Sequence, residues 1–247
     1  MNLVVIVPCI GDQLLKQVEE EAGAWVSAGT NVRVMGITRG TASIESEYDE
    51  ALAGPGILDA VRAAADDGAD AIFITCFGDP AVHAAREIVD IPVVGGFEPA
   101  MLTAVSLGER IGIITVLPNV VPMIRGLLRR SGLDSRCSAV RVVDLPVLDL
   151  DSGDVLIGRL QQQASELVAR GDADVIVLGC TGMIDVAATV QRRLAEAGPF
   201  VPVVDPTGAA IQWLESLVRL RVRPSRTTYM PPPAKARSLT EATGHAV

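Results

Sequence analysis

Residues 70–80 read DAIFITCFGDP, and residues 174–183 read DVIVLGCTGM. Each is a run of β-branched and aliphatic residues that stops at a cysteine, Cys76 or Cys180, and passes into glycine-containing chain. An unbroken apolar run bounded by turn residues is the pattern of a strand covered on both faces. The two stretches also share their surroundings. Each follows a helical pattern ending in small or charged residues, and each precedes a helix and a proline-led strand, IPVVGGFEPA at 91–100 and VPVVDPTGAA at 201–210. Upstream, LVVIVPCI (3–10) pairs with IGIITVLPN (111–119), and VRVMGIT (32–38) with VRVVDLP (140–146). The offset is about 104–109 residues throughout, the mark of an internal duplication.

Strand segments are predicted at 3–7, 32–37, 71–75, 91–95, 111–115, 140–145, 174–179 and 201–205. Helical patterns occupy 12–28, 54–67, 80–89, 119–131, 153–170, 184–197 and 207–220. Strand alternating with helix predicts an α/β fold with parallel sheets. The duplication makes it two similar Rossmann-like lobes related by pseudo-twofold symmetry, with a cleft between them. The first lobe is placed at 1–97, completed by a returning helix near 207–222, and the second at 98–206. Residues 223–247, rich in Pro, Ser, Thr and charge, read as an extended or disordered tail, packed on a neighbour through Tyr229.

Composition narrows the function classes. The 247-residue chain is 49% hydrophobic with a net charge of −9. It has no basic footprint for nucleic acid, and no apolar run of the roughly 18 residues a membrane helix needs. The opening MNLVVIVPCI lacks a basic leader and reads as a first strand rather than a signal peptide. The four cysteines are dispersed and there are only two histidines, so no metal site is expected and a reduced, cytoplasmic protein is the reading. No GxGxxG or Walker loop follows a strand, which argues against a nucleotide-binding protein.

In open α/β sheets ligands bind beyond the carboxyl ends of the strands, where both cysteines fall. A cysteine between a strand and a helix lies near amides and a dipole that favour negative charge, so a lowered thiol pKa is expected. Gly78 permits close backbone approach, Pro80 suits a first helical turn, and Gly179, Thr181 and Gly182 surround Cys180. Taken alone, a cysteine at a strand end is a small buried hydrophobe. Two at equivalent positions of a repeat suggest two acid/base groups facing one substrate from opposite sides. That arrangement suits racemisation or epimerisation, in which one group removes a proton and the other returns one. It needs no histidine. His83 and His245 have no counterparts in the other half. Cys137 has no repeat partner and is expected to be structural or at the surface, whereas Cys9, ending the first strand, can line the same cleft.

At these residues the chain resembles the Asp/Glu/hydantoin racemase superfamily over roughly residues 1–222, and most of all its hydantoin and allantoin racemases. The motifs are CFGDP at 76–80, ASIESEYDEALAGPGIL at 42–58 and VLGCTGM at 177–183. The resemblance implies a cofactor-independent enzyme acting on a small molecule, and a homo-oligomer. It implies Cys76 and Cys180 as the catalytic pair, with both cysteines favouring racemisation over the decarboxylase branch, which keeps one. It implies substrate contacts from Cys9, Ile10, Ser43, Phe77, Gly78, Thr115, Val116, Thr181 and Gly182. Amino-acid racemases of the superfamily follow their cysteines with Asn-Thr and with Thr-His or Thr-Glu. Phe77-Gly78 and Thr181-Gly182 depart from that and disfavour an amino-acid substrate. Hydantoin racemases usually carry Asn-Pro-Asn-Thr after the first strand, where this chain has Val7-Pro8-Cys9-Ile10. Ser43 also fits a helix cap, and Thr115 an ordinary strand residue. Glu45, Glu47 and Asp49 read as an acidic first helical turn rather than paired catalytic carboxylates. The expected substrate is a 5-substituted hydantoin or allantoin-like ureide. The rivals are a maleate-type isomerase or Asp/Glu racemase of the same superfamily, and a non-catalytic two-lobed binding protein.

Overall fold

The computed structural model describes residues 1–150 and 153–235. In chain order the described elements are β1 (Asn2–Val7), α1 (Leu15–Trp25), β2 (Asn31–Gly36), α2 (Glu47–Asp66), β3 (Ala71–Ile74), α3 (Val82–Ile88), β4 (Val93–Val94) and α4 (Phe97–Val105). The second half continues with β5 (Ile111–Thr115), α5 (Val120–Arg130), β6 (Cys137–Val142), α6 (Gly153–Ala169), β7 (Val175–Leu178), α7 (Ala187–Ala197), β8 (Val203–Val204) and α8 (Pro206–Arg219).

Two four-stranded parallel sheets result, ordered β2-β1-β3-β4 and β6-β5-β7-β8. The topology is the same in both, as the duplication demands. The inner strands β1, β3, β5 and β7 are buried almost throughout, which explains their unbroken apolar runs. Register is equivalent too: Ile6 lies opposite Ile74, and Ile114 opposite Leu178. Both cysteines therefore leave their sheets at matching heights.

The helices after β4 and β8 exchange lobes. Helix α4 follows the first sheet but packs its Phe97, Ala100, Met101 and Ala104 into the core around β5 and β7. Helix α8 follows the second sheet, and its Ala210, Ile211 and Leu214 join Leu3, Val5 and Phe73 of the first. The two helices also pack on each other. Each lobe thus buries its open face with a helix from the other's end, and the lobes cannot part without exposing both cores.

Several local expectations are revised. Helix α2 starts at Glu47, not 54, because Ser46 caps it: Ser46 Oγ accepts from the Asp49 amide at 3.2 Å, and Asp49 Oδ2 accepts from Ser46 Oγ and the Glu45 amide. Glu47 and Asp49 are in its acidic first turn, as expected, but Glu45 lies outside it. The sequence pattern predicts no helix at α4, whose FEPAMLTAV is dominated by apolar residues with Glu98 its one charge. Pro80 precedes α3 rather than opening it, since the helix begins only at Val82 after the left-handed Asp79 and Ala81.

The segment after α8 is irregular, and Tyr229 packs on its own chain. Arg86 Nη1 donates to the Tyr229 hydroxyl at 3.1 Å, and the guanidinium lies 5.5 Å over its ring. Arg226 and Arg223 both pair with Asp90, strapping residues 223–229 across α3. Residues 236–247, with His245, lie outside the described residues. No described helix is long and apolar enough to cross a membrane.

Candidate active site

Strand β3 ends at Ile74 and β7 at Leu178, and both cysteines follow two positions later, beyond the carboxyl edges of their sheets. Both line one cavity of about 520 Å³ between the lobes, a volume suited to a small molecule. Their local geometry is nearly identical. The Gly78 amide donates to Cys76 Sγ at 3.4 Å, and the Gly182 amide to Cys180 Sγ at 3.3 Å. Each thiol is partly covered, and all four cysteines are free.

The thiols are not lowered as expected. Burial pushes Cys180 up to about 11 and Cys76 well above the ordinary thiol range, while the glycine amides pull the other way. The helix-dipole expectation fails because α3 and α7 begin only at Val82 and Ala187, beyond a turn that carries each cysteine away from the helix end. Like charge adds to burial: ionised Cys180 raises Cys76 further.

Other anticipated residues divide into two groups. Cys9, Thr181 and Gly182 line the cavity with the cysteine pair, joined by Pro8 and Thr75. Cys9 is buried, and burial lifts its thiol to about 12. The remaining side chains are placed elsewhere. Ile10 is exposed, and Ser43 offers its carbonyl to the Thr41 hydroxyl at 2.7 Å. Phe77 is a core residue edge-on to Phe97, and Val116 is buried in the second core. Thr115 is fully buried, with its hydroxyl donated to the Gly179 carbonyl at 2.9 Å. Gly78 acts on the Cys76 sulfur rather than the cavity wall. Cys137 is buried in the second core, in keeping with a structural role. His83 stands beside Tyr229 and Glu98, away from the cavity.

Contacts invisible to local sequence hold the cavity together. Thr181 Oγ1 donates across the cleft to the Thr75 carbonyl at 3.0 Å, joining the two cysteine loops. Glu45 accepts the Val147 amide at 2.6 Å, so a second-lobe loop closes over the site and supplies the apolar Val147, Leu148 and Leu150 to its wall. Asp79, from the CFGDP motif, is buried and caps α4 through the Phe97 amide at 2.8 Å and the Glu98 amide at 3.3 Å. It passes so close to Gly95 that a Cβ there would lie 2.1 Å from Asp79 Oδ1; only glycine fits.

The electrostatic character of the wall is one-sided. Its described residues include Glu20, Glu21 and Asp185 but no lysine, arginine or histidine. No described group of three or more His, Cys, Asp or Glu side chains is arranged to hold a metal ion.

The family model described as Asp/Glu/Hydantoin racemase matches residues 3–214. A hydantoin racemase from Rhizobium meliloti is 36% identical over 100% of this chain and 99% of its own length. Another from Pseudomonas sp. (strain NS671) is 34% identical over 95% and 93%. Among solved structures, the allantoin racemase from Klebsiella pneumoniae superposes with a TM-score of 0.90 at 34% identity, covering 96% of each chain. A glutamate racemase from Bacillus anthracis shares the fold at a TM-score of 0.65 and 15% identity.

Proposed function

Because this chain belongs to the Asp/Glu/hydantoin racemase family, we propose that it racemises a neutral five-membered ureide ring at the carbon beside a carbonyl, with Cys76 and Cys180 as the two acid/base groups. The observation that carries this reading is the pair of thiols at equivalent ends of the two sheets, each with a glycine amide on its sulfur, lining one cavity. One thiolate removes the proton from one face of the ring carbon. The electrons pass to the neighbouring carbonyl as an enolate, and the opposite thiol returns a proton to the other face. The neighbouring carbonyl acidifies the C–H, so the chemistry calls for no separate electron sink.

The raised thiols suit this work. A thiolate whose conjugate acid titrates near 11 is a stronger base than an ordinary one and better matched to a weak carbon acid. Like-charge repulsion disfavours two simultaneous thiolates, and a single deprotonation of the pair gives the one-thiolate, one-thiol state that racemisation needs. The substrate class is supported by the wall. An amino acid or diacid would bring a carboxylate into a cavity whose wall carries Glu20 and Asp185 with no described cationic side chain to receive it. A neutral ring meets no such repulsion. The hydantoin and allantoin racemases among the relatives agree with this choice.

The test is a single enantiomer of a 5-substituted hydantoin, and of allantoin, incubated in D₂O and followed by chiral chromatography and mass. Racemisation with deuterium gained at the stereocentre is expected, and Cys76→Ser and Cys180→Ser should each abolish it. Parent-like racemisation by both variants would overturn the two-cysteine mechanism.

A further inference from the structure

Within the cavity one side chain is chemically out of place. Glu21, on α1, is only 4% exposed, and its Oε2 has no hydrogen-bond partner. Burying an ionised carboxylate is costly unless a partner compensates it. The groups facing it make the cost larger. Asp205 and Asp185 are close enough to repel its charge, Cys180 is within electrostatic reach, and only the Thr207 hydroxyl opposes. Thr207 Oγ1 is itself buried without a partner. Burial and these carboxylates lift Glu21 to about 9, so near neutral pH it stands as the uncharged acid. It then offers one O–H donor and one carbonyl acceptor side by side.

Helix α1 brings further polar side chains to the cavity beside this residue. Gln17, Glu20 and Glu21 share one face of α1, and Gln17 and Glu20 are exposed at the rim while Glu21 is buried. The wall also includes the apolar Ile44, Val147 and Leu150. A substituent on the reacting carbon that met only these apolar residues would leave Glu21 unmatched.

We propose that Glu21 is the specificity-determining residue of this cavity, its carboxylic acid pairing with an amide- or urea-like group on the substituent of the reacting carbon. The acid O–H donates to the substituent's carbonyl, a hydrogen bond that an alkyl substituent cannot form. This inference rests on the racemase reading above and adds the recognition element that selects among its substrates.

The experiment measures kcat/KM for racemisation of allantoin, which carries a ureido group, and of 5-methylhydantoin, which carries none. The enzymes are the parent, Glu21→Met, which keeps an unbranched chain of similar length without the carboxyl, and Glu21→Gln, which keeps a donor beside an acceptor. The parent should favour allantoin. The allantoin-to-methylhydantoin ratio should fall roughly 10–100-fold in Glu21→Met, the scale of a stranded buried polar pair, and Glu21→Gln should recover most of it. A ratio is insensitive to the fraction of protein folded. Equal losses on both substrates in Glu21→Met, or a parent that racemises methylhydantoin but not allantoin, overturns the role of Glu21 and leaves the racemase reading standing. A parent that racemises neither removes both.

Discussion

The two lobes share topology, strand register and a cysteine with a glycine amide on its sulfur, yet they secure those cysteines differently. In the first lobe, Asp79 from the cysteine loop caps α4, and the Gly96 amide donates to the Cys76 carbonyl at 2.9 Å. The Cys76 loop is thereby tied to the helix that seals the other lobe. In the second, α8 is capped from within its own approach, Asp205 accepting the Thr207 and Gly208 amides at 2.8 and 3.1 Å. Among the described residues the Cys180 loop makes no hydrogen bond to a helix start and is held instead by Thr181, which reaches back to Thr75. Duplication preserved the chemistry of the two ends while letting their supports diverge.

The largest effect should come from breaking the chemical equivalence. Cys76→Ser and Cys180→Ser should each lower racemisation by about a thousandfold or more, since a serine hydroxyl is a far weaker acid than a thiol. Each variant should retain D₂O exchange for one enantiomer only, and a different one in each case. Loss of exchange for the same enantiomer in both variants would contradict the two-face assignment.

Thiol reactivity sharpens the comparison next. At neutral pH, Cys180 should alkylate with iodoacetamide roughly 100-fold more slowly than a free thiol, from the thiolate fraction left by a value near 11. Cys76, raised chiefly by burial, should also be slow at neutral pH, and Cys180→Ser should speed it only at alkaline pH, where the parent's Cys180 is ionised. Peptide mass spectrometry against time and pH reads both.

The different caps predict different costs. Asp205→Ala should lower stability by about 1–2 kcal/mol, the value of a lost cap. Asp79→Ala should cost a similar amount and also lower kcat, because the Cys76 loop loses its anchor. Asp79 adds a pH signature. Burial raises it to about 7 from the usual carboxylate value near 4, so the folded state holds this proton more tightly than the unfolded chain. Between about pH 4 and 7 stability should therefore fall as pH rises, by roughly 1–4 kcal/mol from this group. Asp79→Asn, which keeps an acceptor and tolerates the left-handed backbone, should flatten that slope in denaturant titrations.

The smallest change concerns the bridge between the lobes. Glu45→Gln should weaken the Val147 contact by about 1 kcal/mol and raise KM more than it lowers kcat, because the bond positions a cavity wall and touches no reacting atom. Steady-state kinetics separates the two parameters.

The sequence by itself determined the strand runs, the duplication and the cysteine pair, because each is written in contiguous residues. A doubly covered strand needs an unbroken apolar segment, and a repeated segment needs a repeated environment. Only the tertiary structure decided the rest. The thiols rise because burial by distant chain outweighs any local dipole. Glu45 leaves its expected helical turn to meet Val147, a partner far along the chain, and Asp79 caps a helix that apolar FEPAMLTAV does not announce. Glu21 looks like an ordinary charge in LKQVEEEAGAW until α8 and the second lobe close over it. Burial, capping across loops and stranded polar atoms are properties of chain that meets only on folding, and no local pattern encodes them.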